Sequence, residues 1–199
     1  MPRQADYRVP EPTPGEDAYT RSAFSFGNRA KRLIWNITWA ILFRLSPRPF
    51  HAWRAMLLRL FGATLGPDCH FYPAAKVWAP WNLICADHVA AGDGVEIYNP
   101  SPMHFSSHVI LSQDAYLCGA THDYNDPTFP LLSYQMTFGP YAWICARASV
   151  GPGVNVGEGA VLGLGSVATR DLAPWTVYAG NPAVMIRERN RPPTVGDTA

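Results

Sequence analysis

The chain has 199 residues, 16 Lys plus Arg against 15 Asp plus Glu, and a formal net charge of +1. That balance excludes a dedicated nucleic-acid binder, which would carry a basic excess to neutralise phosphates, and a hydrophobic content of 48% excludes a wholly disordered chain. Its 16 Gly and 19 Pro fill the sequence with turns and exclude a bundle of long helices.

Residues 1–22 are polar and proline-rich and read as a mobile tail. The opening stretch has no apolar core, which predicts no secretory leader. With Cys69, Cys85, Cys118 and Cys145 well separated and no CxxC pair, the expected setting is a reducing cytoplasm. Residues 23–62 hold the helical text. Pro47 and Pro49 split it, since proline ends a helix and pushes its predecessor out of the α region, so helices are expected over Arg29–Leu45 and Pro49–Phe61. The apolar run Leu33–Leu45 is shorter than the roughly 20 residues a bilayer requires. Trp35 and Trp39, with Arg29, Lys31 and Arg32 at one end, would suit an in-plane helix at the inner membrane face; packing on protein is the favoured alternative.

From Ala63 the text changes character. Read from Ala142 it divides into AWICAR, ASVGPG, VNVGEG, AVLGLG and SVATRD, with a small residue first, an aliphatic residue third, and Gly fourth at 151, 157 and 163. Upstream, Leu65, Phe71, Val77, Leu83, Val89 and Val95 keep the spacing of six. Breaks are expected between Val95 and Met103, around Tyr98 and Asn99, and at the insertion 121–135. Such a hexad makes one short strand and one corner, and three of them close a triangular coil of about eighteen residues that buries its apolar positions only by stacking on its neighbours. The fourth-position glycines are expected to adopt left-handed corners. The predicted fold is therefore an all-β solenoid, a left-handed parallel β-helix over 63–178. An N-terminal helical segment precedes it, a loop protrudes at 121–135, a segment 179–189 follows the solenoid, and 190–199 form a second tail. Within the closing segment, MIRER is expected to be a short helix.

A regular prism has no reason to interrupt itself with a loop, which directs attention to Cys118-Gly119-Ala120-Thr121-His122-Asp123-Tyr124. The His122 imidazole suits proton abstraction near neutral pH; Asp123 and Asp126 are either its orienting carboxylates or turn formers. His104 and His108 share a strand face only across about 13 Å, and no third imidazole stands at metal-ligand spacing from His122, so no metal is expected. Neither a Walker or dinucleotide fingerprint nor a G-x-S-x-G elbow occurs.

The repeats resemble the hexapeptide-repeat acyltransferases. Four blocks, SPRPFHAWRAMLLRLFGA (46–63), YPAAKVWAPWNL (72–83), AYLCGATHDYNDPTFPL (115–131) and PWTVYAGNPAVMIRER (174–189), narrow the resemblance to the polysaccharide O-acetyltransferases of the colanic-acid biosynthesis type. The resemblance implies a homotrimer with each site in a groove between neighbouring prisms, acetyl-CoA as cosubstrate, and a saccharide acceptor that could be lipid-linked. It places His122 at the catalytic histidine and Asn99 on the acceptor side. Trp143 would flank the acetyl-CoA channel, backbone amides near Ala146 and Gly163 would hold the thioester and pantetheine arm, and Thr169, Arg170 and Arg187 would lie near the coenzyme phosphates and nucleotide. Ala146 stands where many relatives carry serine, and Arg170 where lysine is usual, which keeps the charge and changes its geometry. A direct ternary-complex transfer is implied, with Cys118 close enough in sequence to be weighed as a nucleophile. The alternatives are an inactive trimeric scaffold, or an acetyltransferase acting on serine or an antibiotic.

Overall fold

The computed structural model describes residues 7–8 and 22–191. From Thr64 to Ala168 the chain forms strands of two or three residues, each ended by a corner after the aliphatic inward position, so no strand there grows longer. They assemble into three parallel sheets wound in about six turns. The first face carries Thr64–Leu65, Leu83–Cys85, Met103–Phe105 and Met136–Phe138, continued by single bridges at Val156 and Leu172. The second carries His70–Phe71, Ala90–Ala91, Ile110–Leu111, Trp143–Ile144, Val161–Leu162 and Thr176–Gly180. The third carries Lys76–Val77, Glu96–Tyr98, Tyr116–Cys118, Ser149–Val150 and Val167–Ala168.

The inward positions are the first and third of each hexad, as expected, and they form one continuous core from Ala63 to Leu172. The turn length is not uniform. Leu65 pairs with Cys85, Phe71 with Ala91 and Val77 with Ile97, each twenty positions on. Phe138 and Val156, or Ile144 and Leu162, are eighteen apart, and Leu162 and Tyr178 sixteen. The unbroken frame from Leu65 to Val95 is thus corrected: a short 3-10 turn at Pro80–Asn82 adds two residues, and Leu83, Val89 and Val95 are first-position residues of the next turn. Both positions point inward, so hydrophobicity alone does not show the slip.

The glycine expectation also changes. Left-handed conformations fall two residues after Gly151, Gly157 and Gly163, at Gly153, Gly159 and Gly165. The fourth-position glycine answers a different need: a Cβ on Gly157 would lie 2.6 Å from Pro174 N of the next turn. At the edge between the first and second faces every turn closes with a left-handed residue, namely Asp68, His88, His108, Tyr141, Gly159 and Trp175. For residues with a Cβ this costs about 1–2 kcal/mol each; stacking offsets part of it, His88 on His108 at 4.7 Å and His108 on Tyr141 at 4.8 Å.

The first turn has no predecessor, so its carbonyls point outward without partners. The helical segment supplies donors for all three faces. Arg59 bonds Leu65 O, Arg54 and His51 bond Phe71 O, and the indole N–H groups of Trp35 and Trp39 bond Val77 O and Ala75 O at 2.6 and 2.8 Å. Helix α1 runs Phe26–Thr38 and continues through a π-helical turn, Trp39–Phe43; α2 runs His51–Leu60. Trp35, Phe43 and Leu58 are buried against the first turn. Among the described residues no helix is long and apolar enough to cross a membrane.

At the other end, MIRER is not a helix: Ala183–Glu188 is a strand antiparallel to Thr176–Gly180, closing the second face. Of the expected N-terminal tail, Tyr7–Arg8 form a strand on Leu131–Ser133, while residues 1–6 and 9–21 lie outside the described residues, as do 192–199 of the second tail.

Candidate active site

The insertion at 121–135 is a hairpin rather than an open loop. Ala120–His122 pairs antiparallel with Leu131–Ser133, opposing His122 to Leu131, and Tyr7–Arg8 adds a third strand. It leaves the prism at the edge between the third and first faces. Gly119 permits the departure: its N–H bonds Tyr98 O at 2.7 Å, and a Cβ there would stand 2.6 Å from that oxygen. The return strand is anchored by a buried hydroxyl pair, Ser101 and Ser133, at 2.7 Å.

His122 is solvent-exposed on this hairpin, and its Nδ1 lies 2.6 Å from the carbonyl oxygen of Phe129. A carbonyl cannot donate, so Nδ1 carries the proton of that bond and the neutral ring keeps its lone pair at Nε2. The orienting group is therefore a backbone carbonyl, delivered by Phe129 in a left-handed conformation (φ 44°). Asp123 and Asp126 make turn bonds, Asp123 accepting from Asn125 N–H and Asp126 from Thr128 N–H and Oγ1. Of the two readings the sequence left open for these carboxylates, these bonds are those of turn formers, and a backbone acceptor has no residue signature to announce it. Cys118 is half-buried and its thiol donates to Ala120 O at 3.1 Å. Beside it, burial first and the Cys118 contact second push the Tyr116 phenol up.

Asn99 lies on the same edge, directly below Gly119, but it is fully buried. Its Oδ1 accepts from Ala79 N–H and its Nδ2 donates to Ala79 O, both at 2.9 Å. Its amide thus fastens the corner beneath the hairpin. Thr169 and Arg170 are exposed further along this edge, between the last two turns.

The other expected residues lie elsewhere on the chain. Trp143 is 42% exposed on the second face, its indole N–H donating to Ser112 Oγ at 2.9 Å. Ala146 and Gly163 occupy successive turns at the edge between second and third faces; Ala146 O accepts from Gly165 N–H. The Gly163 N–H is committed to Tyr178 O at 2.7 Å, so that amide is not free to hold a ligand. Arg187 is exposed on the closing strand opposite Val177. The residues expected at one site therefore fall in two halves on one chain, His122, Thr169 and Arg170 along one edge, Trp143 and Ala146 away from it.

A further cluster was not anticipated. Asp87, His88 and His108 bring one ligand atom each within 4.8 Å of one another, a consequence of the twenty-residue turn that puts 88 and 108 at the same corner. The rings are parallel to within 4°, so their in-plane lone pairs do not converge on a point as a shared metal requires. Asp87 instead bonds the Ser107 hydroxyl and His88 Nδ1.

No protein-family model matches the chain. It is 37% identical over 166 residues to the Escherichia coli (strain K12) protein named colanic acid biosynthesis acetyltransferase WcaF, covering 83% of this chain and 91% of the relative. Among solved structures, a galactoside acetyltransferase in complex with coenzyme A superposes with a TM-score of 0.77 at 24% identity, covering 85% of this chain and 86% of the other. A hexapeptide-repeat acetyltransferase from Vibrio cholerae, complexed with acetyl coenzyme A, gives 0.75 at 22% identity, with 85% and 93% covered. These superpositions establish the left-handed parallel β-helix. Through its similarity to WcaF across most of its length, the chain belongs to the colanic-acid-type acetyltransferases of the hexapeptide-repeat family and is an enzyme of the acyltransferase class.

Proposed function

We propose that this protein transfers the acetyl group of acetyl-CoA to a hydroxyl of a saccharide, a precursor of an exported polysaccharide, with His122 as general base. The observation that carries this is the 2.6 Å contact from His122 Nδ1 to Phe129 O, which leaves Nε2 as a proton acceptor on an exposed, anchored hairpin. A sugar hydroxyl is far too weak an acid to ionise near neutral pH, so it needs a base as it attacks. Nε2 takes the hydroxyl proton while the oxygen bonds to the thioester carbonyl carbon. Collapse of the tetrahedral intermediate breaks the C–S bond, and the imidazolium returns the proton to the departing thiolate. The Ala146 N–H serves as oxyanion donor, a contribution typically worth about 10²–10³ in rate.

Thr169, Arg170 and Arg187 serve the coenzyme phosphates, and Trp143 lines the channel. Asn99 acts beneath the acceptor side by holding the Ala79 corner, since its own amide is already bonded. The separation of the two half-sites supports a trimer in which one prism's hairpin faces its neighbour's Trp143 and Ala146 edge. A saccharide acceptor is supported by the names of the relatives, WcaF among them.

Calorimetric titration with acetyl-CoA, free CoA and succinyl-CoA is the first test, because it needs no acceptor. The expected result is about one saturable site per chain, favouring acetyl over succinyl; no binding by any CoA species overturns the proposal in favour of a scaffold. His122→Ala is expected to lower turnover at least about a hundredfold with coenzyme binding near normal. Full activity in that variant overturns the base assignment.

A further inference from the structure

The charge of this molecule is divided unevenly. Segment 22–62 carries seven of the 16 Lys and Arg and no Asp or Glu, so the remaining nine cations share the rest of the chain with all 15 carboxylates. A protein of net charge +1 thus concentrates its positive charge on the helical cap at one end of the prism. Four of the seven have polar partners within the chain: Arg54 is buried on Phe71 O, Arg48 lies 3.4 Å from Asp93, Arg59 bonds Leu65 O and Gly66 O, and Arg32 bonds Asn28 Oδ1. Arg29, Lys31, Arg44 and Arg59 stand exposed around the cap.

The same cap is apolar on both sides. Its inner side buries Trp35, Phe43 and Leu58. Its outer side exposes Phe26 at 84%, Leu33 at 61%, Ile34 at 59%, Ile37 at 53% and Ile41 at 58%, a stripe at helical spacing, and α2 adds Met56 and Leu60. An apolar stripe on a helix is normally covered, and a contiguous exposed apolar patch marks an interaction surface. At the start of α1 an open hollow of about 430 Å³ is lined by Phe26, Arg29, Ala30, Arg32, Leu33 and Asn36, placing two guanidinium groups beside aliphatic carbon.

The charge decides among occupants. A second copy seated cap to cap would set cations against cations with no carboxylate on the segment to answer them. A surface that offers acyl carbon beneath a layer of phosphates answers both features at once. We propose that the cap seats the protein on an anionic lipid bilayer, with α1 lying in the interface plane, its outer stripe among the acyl chains and its rim cations on lipid phosphates. This stands on the cap alone and does not rest on the acyl-transfer proposal.

Flotation of the full chain with vesicles decides it, using phosphatidylcholine alone and phosphatidylcholine mixed with phosphatidylglycerol. The chain is expected to float with the mixed vesicles, to be released by added salt, and to stay behind with phosphatidylcholine alone. Ile34→Glu combined with Ile37→Glu is expected to lower vesicle binding at least about tenfold; both side chains are more than half exposed, so an unchanged melting curve is expected too. Failure of the native chain to float with mixed vesicles at low salt overturns the proposal, as does equal flotation of the double variant. Self-association that the same substitutions abolish, or capture of an acidic protein, overturns it when vesicles are not bound. Should the variant not fold, the lipid and salt comparisons on the native chain still decide.

Discussion

Two edges of the prism and the third are built to different rules. From first face to second and from second to third, the inward residue advances by six positions in every turn, as from Leu65 to Phe71 to Val77 and from Val156 to Leu162 to Ala168. From third face back to first the steps are eight (Val77 to Cys85; Ile97 to Phe105), twenty-one (Leu117 to Phe138), six (Val150 to Val156) and four (Ala168 to Leu172). All variation in turn length is confined to one edge. The interior stack sees only which residues point inward, so chain can be added at a corner for little more than loop-closure entropy, about 0.6 kcal/mol per doubling of length. The fixed edges carry left-handed corner residues in turn after turn, and stacked rings; the variable edge has a left-handed corner at Gly153 and carries the His122 hairpin and the exposed Thr169 and Arg170.

Substitutions should separate those roles. The largest expected effect lies in the stack that both kinds of edge share. Phe138 is fully buried and stacked on Phe105 at 4.6 Å, so Phe138→Ala should lower unfolding free energy by about 3–5 kcal/mol. Chemical denaturation measures it, and a loss below about 1 kcal/mol would mean that turns do not share one core. On the variable edge the His122→Ala variant should separate activity from stability. Its at least hundredfold loss of turnover, about 2.7 kcal/mol in activation free energy, should accompany a stability change within about 1 kcal/mol, since one exposed hydrogen bond is removed. Asn99→Ala should behave in the opposite way. It strands the buried Ala79 N–H and takes one of two donors from the Ala79 carbonyl, which keeps the Asn82 N–H, and should lower stability by about 2 kcal/mol. Unchanged stability with a raised acceptor KM would instead assign Asn99 a direct substrate contact.

The sequence disclosed the fixed edges more fully than the variable one. A hexad with two inward positions leaves a periodic trace, so Val150, Val156 and Leu162 were legible as stacked residues before any geometry. The step of eight was not: from Val77 it turns the first position of the next turn, Leu83, into the sixth residue on, and one apolar position replaces another. A sharper signal was present in Asp68, His88 and His108, polar residues twenty apart that occupy one left-handed corner. At the site, the sequence singled out His122 through the interruption around it. It could not show the Phe129 carbonyl, because any residue supplies one, nor that Asn99 spends its amide inside the chain.

The smallest expected effect tests whether the fixed edge contributes electrostatics of its own. Asp87 accepts a hydrogen bond from the Ser107 hydroxyl and another from His88, whose far nitrogen lies 3.7 Å from Asp68. The Ser107 bond first, then the His88 bond, hold the Asp87 carboxyl at about 2, below its ordinary 3.8. A carboxylate that binds its proton less readily folded than unfolded stabilises the fold fully above the unfolded value, and loses that contribution as pH falls through the folded one. The contribution of Asp87 should therefore be whole above about pH 4 and vanish as pH approaches about 2. Asp87→Asn should leave the first–second edge closed by the same corner residues, and its stability gap from the native chain should narrow between those two values. Denaturation curves across that range measure the gap. If both chains lose stability in parallel down to pH 2, the corner is held by backbone and ring stacking alone, and the Asp87 charge contributes nothing to it.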